Sequence, residues 1–226
     1  MLATPDCRPL PDVLTPTLDY ARFAERFRGS QEYVGEKQSF YLPLFRDRSA
    51  VLDLGCGHGE LLNLCRENGV TARGVDSSAE FVAVCRSRGL ETECADLFAY
   101  LDSLPDAMLD GIFCAQVVEH FAPEQIPQLI RPASATLSRN GLPFVETPNP
   151  ECLAVFATHF HLDPTQTRPV PSALLRFYME ECGLGRIEVH PLSPAVEAIP
   201  ALASLPEHFR AACFGGLDYA ILGVKL

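Results

Sequence analysis

The chain has 226 residues, enough for one large domain or a domain with an arm and too few for a second independent catalytic domain. Its 47% hydrophobic and 21% charged residues can build a full core, which excludes wholesale disorder. With 18 Lys and Arg against 29 Asp and Glu, the net charge of −11 repels phosphate backbones, and no basic patch offsets it, so a small-molecule or neutral polymer partner is expected and nucleic acid is not.

No run approaches the roughly 20 uninterrupted apolar residues that a membrane span needs, and the start MLATPDCRPLPDVL lacks a basic end followed by an apolar stretch. The expectation is a cytoplasmic protein without a transmembrane segment. Nine cysteines are scattered without a CxxC pair, mostly inside apolar segments. That pattern reads as buried reduced thiols and supports neither a disulfide framework nor a zinc site.

The first 15 or so residues carry Pro5, Pro9 and Pro11 and no periodicity, which predicts an extended arm. From Leu18 the pattern turns helical, with Tyr20, Phe23 and Phe27 at helical spacing up to Gly29. Ser30 can cap a second helix, with Glu32 in its first turn and Tyr33, Val34, Lys37, Gln38 and Tyr41 along one side, and Pro43 is expected to stop it. Residues 1–47 therefore read as an N-terminal arm with helices, and residues 48–226 as the main domain.

From Ala50 short apolar runs alternate with helix-length segments, the pattern of a parallel sheet covered on both faces. Strands are expected at about 50–55, 72–76, 92–95, 110–117, 142–147, 186–192 and 218–225. Helices are expected at about 59–68, 78–88, 97–103, 123–139 and 171–182, several closed by a glycine (Gly69, Gly89, Gly141, Gly183). Pro132 should kink or split the fourth of these. Residues 149–170 form a long irregular segment, read as an acceptor-binding lid in preference to a plain surface loop, and 194–216 a helical excursion before the last strand.

The strongest local signal is VLDLGCGHGELL at residues 51–62, where an apolar strand runs into Gly55, Gly57 and Gly59 and then into a helix. The backbone there can turn sharply and leave bare main chain against a ligand. It is not a Walker cradle, because no Gly-Lys-Ser/Thr follows, nor a nicotinamide fingerprint, because the third glycine would fall at Glu60 or Leu62. Asp53, two residues before the first glycine, can orient the turn or accept from a cationic amine. Asp76 ends the next expected strand, where doubly wound folds place the carboxylate that takes both ribose hydroxyls. Asp96, between Ala95 and Leu97, can accept from an adenine amine, and Gln116 ends the fourth strand beside the same crevice. Either acid is also explained as a carboxylate at a helix N-terminus.

In order, LDLGCGHG, GVD, CADL and AQVVEHF resemble the class I S-adenosylmethionine-dependent methyltransferases over about residues 48–226. The resemblance implies an α/β, doubly wound, Rossmann-like fold with a seven-stranded sheet, its last strand antiparallel, and DYAILGVK resembles that strand. It implies S-adenosyl-L-methionine as cofactor, with Gly55 and Gly57 at the methionine part, Asp76 at the ribose, Asp96 at the adenine amine and Gln116 near the sulfonium. The expected cofactor-binding set is Arg28, Asp53, Gly55, Cys56, Gly57, Asp76, Ser77, Ala95, Asp96, Leu97 and Gln116. More narrowly, residues 27–45, ETPNPECL and HFHLDPTQTRPVPSALLRFYMEECGL resemble the methyltransferases of bacterial O-antigen and polysaccharide biosynthesis. That implies O-methylation of a sugar hydroxyl in a glycan precursor and a glycosyltransferase partner. This chain departs from that group's FYLDPTHVRPV, with His161 for the tyrosine and Gln166 for the histidine.

His120, just past the fourth strand, is expected either to take an acceptor proton or to orient the cofactor, with Glu119 beside it able to fix its tautomer. His159 and His161 are the catalytic candidates of the lid. With Asp163 they could form a metal site by ligand type, but their spacing is common by chance and no metal is expected. Arg28 and Arg168 are candidate anion contacts, for the methionine carboxylate and an acceptor phosphate respectively. Tyr41 is a further contact if its helix covers the crevice. The alternatives are a cofactor-binding module without turnover, a methyltransferase acting on another small molecule, and a nucleotide-dependent oxidoreductase.

Overall fold

A computed structural model of the protein describes residues 20–158 and 160–226; the expected proline-rich arm and His159 lie outside them. Four short helical pieces come first: α1 (Tyr20–Phe27), α2 (Gln31–Gln38), a 3₁₀ turn at Ser39–Tyr41 and α3 (Leu42–Phe45). Ser30 caps α2 by accepting from the Tyr33 N–H at 3.2 Å. Pro43 does not stop the helical run as expected. It sits in the first turn of α3, where a missing N–H leaves no helical bond unmade.

The alternating body then runs β1 (Val51–Leu54), α4 (Glu60–Glu67), β2 (Ala72–Asp76), α5 (Ala79–Ser87), β3 (Thr92–Cys94), α6 (Leu97–Ser103), β4 (Leu109–Ala115), α7 (Gln125–Thr136) and β5 (Leu137–Pro148). It continues through α8 (Leu153–Thr158), α9 (Ser172–Glu181), β6 (Leu184–Pro194), α10 (Ala195–Ala198), α11 (Glu207–Cys213) and β7 (Gly216–Lys225). The seven strands form one sheet in the order β3-β2-β1-β4-β5-β7-β6. Strands β1 to β5 pair in parallel, and β7 runs antiparallel between β5 and β6. The strand order reverses between β1 and β4, and doubly wound sheets bind ligands beyond the carboxyl ends of the strands at such a switch point.

Both faces of the sheet are buried, so neighbouring residues of one strand serve different cores. Leu52, Ile112 and Val145 pack on one face under α6, α7 and α9, while Val51, Phe113 and Phe144 pack on the other with Tyr41 and Phe45. The N-terminal helices are thus part of the core. Phe45 is fully buried, and a methyl group at Gly111 would stand 3.0 Å from its ring, so glycine in β4 is what lets that ring lie on the sheet. Tyr41 meets Phe113 and Phe144 edge-on, with ring centres 4.9 and 5.6 Å apart.

Three expectations change in detail. Strand β5 starts at Leu137, because Leu137 pairs with Leu109 before residues 138–141 bulge out and Leu142 pairs with Gly111. Helix α7 accordingly ends at Thr136, and it runs through Pro132 without splitting. The segment 149–170 contains α8 and a 3₁₀ turn at Phe160–Leu162, so it is less irregular than its prolines suggest. The excursion over 194–216 is helical, as expected. Cys56, Cys65, Cys85, Cys114 and Cys152 are buried free thiols, whereas Cys94 is exposed. Among the described residues no helix is long and apolar enough to cross a membrane.

Candidate functional site

Beyond β1 the chain makes three left-handed glycine steps, with φ of 74° at Gly55, 51° at Gly57 and 79° at Gly59. The Gly55 and Cys56 N–H groups both donate to the Val75 carbonyl, at 2.8 and 3.1 Å, which folds the turn over the end of β2. A methyl group at Gly55 would also meet Val117 at 2.5 Å, so conformation and space both require glycine there. Asp76, at the end of β2, ties the turn to the next helix. Its Oδ2 accepts from the Gly57 N–H at 2.9 Å and its Oδ1 from the Ser78 N–H at 2.8 Å. The carboxylate is half-buried, and each oxygen keeps a further acceptor position.

The N-terminal helices close over this turn through one cation. Arg28 donates Nη1 and Nη2 to the two oxygens of Glu60 at 2.8 and 2.9 Å, and its Nη1 lies 2.9 Å from Nδ1 of His58. Its guanidinium also covers Gly57, 3.4 Å from where a Cβ would stand. Glu60 occupies the position where a nicotinamide fingerprint would carry its third glycine, and the structure shows that it holds Arg28. Behind them Asp53 is buried, and that burial, with Glu60 and Asp76 nearby, pushes its carboxyl well above the usual range while Arg28 opposes the shift.

Next along the strand ends, the Ala95 N–H donates to the Asp76 carbonyl at 3.1 Å, and Asp96 caps α6. Its Oδ1 accepts from the Phe98 and Ala99 N–H groups, at 3.1 and 3.0 Å, so the helix-start reading of Asp96 holds and its Oδ2 takes no part in the cap. Leu97 is buried beneath, and Ser77 is exposed between the two acids.

At the end of β4, Gln116 adopts a φ of 56°, uncommon for a side-chain-bearing residue. Its N–H holds the Glu146 carbonyl at 2.8 Å, and its Nε2 donates to Glu146 Oε1 and Asp218 Oδ1 at 3.3 and 3.2 Å. Tyr41 donates its hydroxyl to Glu146 Oε2. Burial raises both the Glu146 carboxyl and the Tyr41 phenol above their ordinary ranges. Gln116 therefore faces a carboxylate pair on β5 and β7.

Three residues on, in the 3₁₀ turn Val118–His120, Glu119 is fully buried and accepts from Thr147 Oγ1 at 2.9 Å, while its Oε1 has no partner among the described residues. Glu119 thus turns toward Thr147 instead of fixing the ring of His120. Burial pushes its carboxyl up to about 8. His120 meets the 149–170 segment: its Nδ1 lies 2.8 Å from Thr165 Oγ1, which donates to Asp163 Oδ1 at 2.7 Å. Burial lowers the affinity of His120 for a proton, and Asp163 works against that. His161 is exposed, its ring edge-on to Phe160 at 5.5 Å, and Arg168 is exposed further along. Among the described residues no three His, Cys, Asp or Glu side chains gather into a metal site.

Taken from β3 to β4, Asp96, Asp76, the glycine turn and Gln116 stand in a row along the carboxyl edge of adjacent strands. The donor set consists of carboxylates and bare main chain. It suits a free ribose diol, an adenine amine and a cationic amino acid end, and it offers no cradle for phosphates. The sheet that carries this row has the strand order of the methyltransferase type.

Comparison with solved structures agrees. A SAM-dependent methyltransferase from Archaeoglobus fulgidus shares 31% of its sequence over 92% of this chain and 100% of its own, with a TM-score of 0.84. The chain belongs to the S-adenosylmethionine-dependent methyltransferase family, whose cofactor is S-adenosylmethionine. More distant likenesses, which show the fold alone, are an S-adenosylmethionine-dependent methyltransferase from Mesorhizobium loti (19% identity, 88% of this chain, 99% of that one, TM-score 0.63) and phosphoethanolamine N-methyltransferase 2 from Haemonchus contortus in complex with S-adenosylhomocysteine (15%, 92% and 60%, 0.62). The family model of the methionine biosynthesis protein MetW matches residues 37–134. No protein of curated function matches the chain by sequence.

Proposed function

We propose that the protein moves a methyl group from S-adenosylmethionine to a hydroxyl oxygen of a small-molecule acceptor, with a sugar hydroxyl of a glycan precursor as the acceptor class that the resemblance of residues 27–45, 146–153 and 159–184 favours. The observation that carries this reading is the row of Asp96, Asp76 and the Gly55–Gly57 turn leading to His120 past the end of β4. When bound, the cofactor supplies a methyl group on a cationic sulfonium. Asp76 would take the ribose diol, the glycine turn and Arg28 would enclose the methionine part, and Gln116 would stand on the sulfonium side. His120 accepts the acceptor's proton, and the 149–170 segment aligns the acceptor for in-line attack.

Calorimetric titration with S-adenosylmethionine, S-adenosylhomocysteine and NAD in parallel tests the pocket. Micromolar binding of the first two and none of NAD is expected, and an acceptor screen on nucleotide sugars and oligosaccharides then follows; binding of NAD alone, or of nothing, overturns the reading. Asp76→Ala should weaken binding of S-adenosylmethionine by about 1–3 kcal/mol through loss of charge-assisted hydrogen bonds, measured on protein shown to be folded. An unchanged affinity removes Asp76 from the site. His120→Ala should lower turnover by about 10²–10⁴-fold with cofactor affinity nearly intact; an equal loss of both would make it a cofactor residue.

A further inference from the structure

The geometry points to a second subsite for the acceptor: a cavity of about 250 Å³ beside the excursion over 194–216, suited to one neutral sugar unit next to the unit that is methylated. This rests on the proposed reading of the acceptor as a glycan. The cavity is built on the sheet, where Val189 and Pro191 of β6 and Tyr219 of β7 form an apolar floor. Glu151 and Ser172 stand on one side of it, and Ala211, Ala212 and Gly215 of the excursion on the other. Its volume lies just below the roughly 300–1,000 Å³ of pockets that hold drug-sized ligands, which is room for one ring with its hydroxyls.

Both walls are pinned. Asn149, 8% exposed, takes the Glu151 N–H on Oδ1 at 3.0 Å and donates Nδ2 to the Gly216 carbonyl at 3.0 Å, which ties the turn after β5 to the start of β7. Ser172 donates its hydroxyl to Glu151 Oε1 at 2.9 Å and leaves Oε2 as an acceptor. Across the cavity, the Ala195 N–H donates to the Gly215 carbonyl at 2.8 Å, and Ala195 and Phe214 pack with Cys152 and Val155, so the excursion is seated on the chain around α8.

The chemistry of the lining is that of a polyol site. Glu151 and the Ala211 carbonyl, in the last turn of α11, are acceptors, and a methyl group at Gly215 would stand 3.7 Å from that carbonyl, so glycine keeps the oxygen within reach. Ser172 opens α9 after Pro171, which supplies no cap, and the first N–H groups of the helix remain as donors. Among the described residues no Lys, Arg or His lines the cavity, so nothing there balances a phosphate or carboxylate ligand, which the Glu151 carboxylate repels. A hydroxyl both donates and accepts, and the carbon face of a sugar ring can lie on the apolar floor.

Sheet register relates the cavity to the site. Thr147, Tyr219 and Pro191 stand side by side on β5, β7 and β6, and Thr147 holds Glu119, the chain neighbour of His120. Two strand spacings, roughly 10 Å, therefore separate the far edge of the floor from the end of β5. Residues 163–172 run from one place to the other: Thr165 meets His120, the Val170 carbonyl takes the Tyr219 hydroxyl at 2.8 Å, and Ser172 borders the cavity. One segment thus flanks both His120 and the cavity, as a strap along which two linked sugars can lie.

Amide ¹H–¹⁵N spectra of the protein saturated with S-adenosylhomocysteine, titrated with methyl glucoside, methyl galactoside and methyl mannoside, test the cavity. At least one sugar should shift the signals of Ala212, Gly215 and Gly216 with millimolar affinity, whereas ethanolamine and inorganic phosphate should not. Ala212→Phe, at an exposed position of α11, fills the cavity and should cut that affinity by about tenfold or more, with binding of S-adenosylhomocysteine unchanged as the check of folding. Sugars that leave these signals unmoved, ethanolamine or phosphate binding in their place, or an affinity that Ala212→Phe does not change, overturns the inference. Should Ala212→Phe fail to fold, the wild-type shifts alone decide. The glycan reading fails separately: sugar bound at Ala212–Gly216 with no turnover on any saccharide removes the glycan acceptor, and the subsite's part in turnover with it. Turnover on an oligosaccharide whose KM is the same in Ala212→Phe keeps the glycan reading and overturns the subsite.

Discussion

Replacing Arg28 by methionine should lower the unfolding free energy by about 2–3 kcal/mol, and replacing Arg28 and Glu60 together by methionine and leucine should recover most of that loss. Glu60 is only 6% exposed, and both its oxygens are taken by the Arg28 guanidinium. Removing the cation alone strands a buried carboxylate near Asp53 and Asp76, which is worse than removing both partners. The full cost of a broken buried pair is larger, but the Arg28 side chain is 31% exposed and water screens part of the interaction. Urea unfolding of the single and double variants measures both numbers. If Arg28→Met is as stable as the wild type, the pair contributes nothing and the arm is held by its other contacts, Tyr41 and Phe45 chief among them.

Glu119→Gln should flatten the pH dependence of stability. The Glu119 carboxyl titrates near 8 in the folded protein and near 4.5 when exposed. Between these values the folded state holds a proton that the unfolded state has lost, so the stabilising contribution is complete below pH 4.5 and is lost as pH rises through 8. Integrated over the window the loss is on the order of 3–5 kcal/mol. Glu146, also raised, acts with the same sign, whereas His120, lowered by burial, acts with the opposite sign near pH 6.5. Glutamine carries no charge, so the variant should gain on the wild type from pH 5 to pH 8 in denaturant unfolding. Parallel curves for the two proteins would show that Glu119 does not titrate in that range.

The strands and the glycine turn are legible in the sequence because each is written locally: apolar runs of strand length, and glycines where φ must be positive. Asp76 is legible because a strand end fixes where its side chain points. The partners are not written locally. Glu60 reads in sequence only as the place where a fingerprint glycine is missing, since its cation comes from 32 residues upstream, and Glu146 meets Tyr41 across 105 positions. Pro43 misleads because the same residue that ends one helix can open the next. The bulge at residues 138–141 is invisible because register is set by the partner strand β4. Thr165 lies in a segment whose periodicity is weak, and nothing near it in sequence marks it as the neighbour of His120.

The position of β7 bears on how the protein is made. Among the described residues strand β6 pairs only with β7, and β7 is the link between β6 and β5. As the chain leaves the ribosome, β1 to β5 can assemble in turn, but β6 emerges before the strand that must separate it from β5. Until β7 follows, β5 presents an open edge that another nascent chain could occupy, and β6 has no sheet to join. Production of this protein is therefore most vulnerable to misassembly during synthesis of the stretch from α9 to α11, when five strands are complete and the seventh is still unmade.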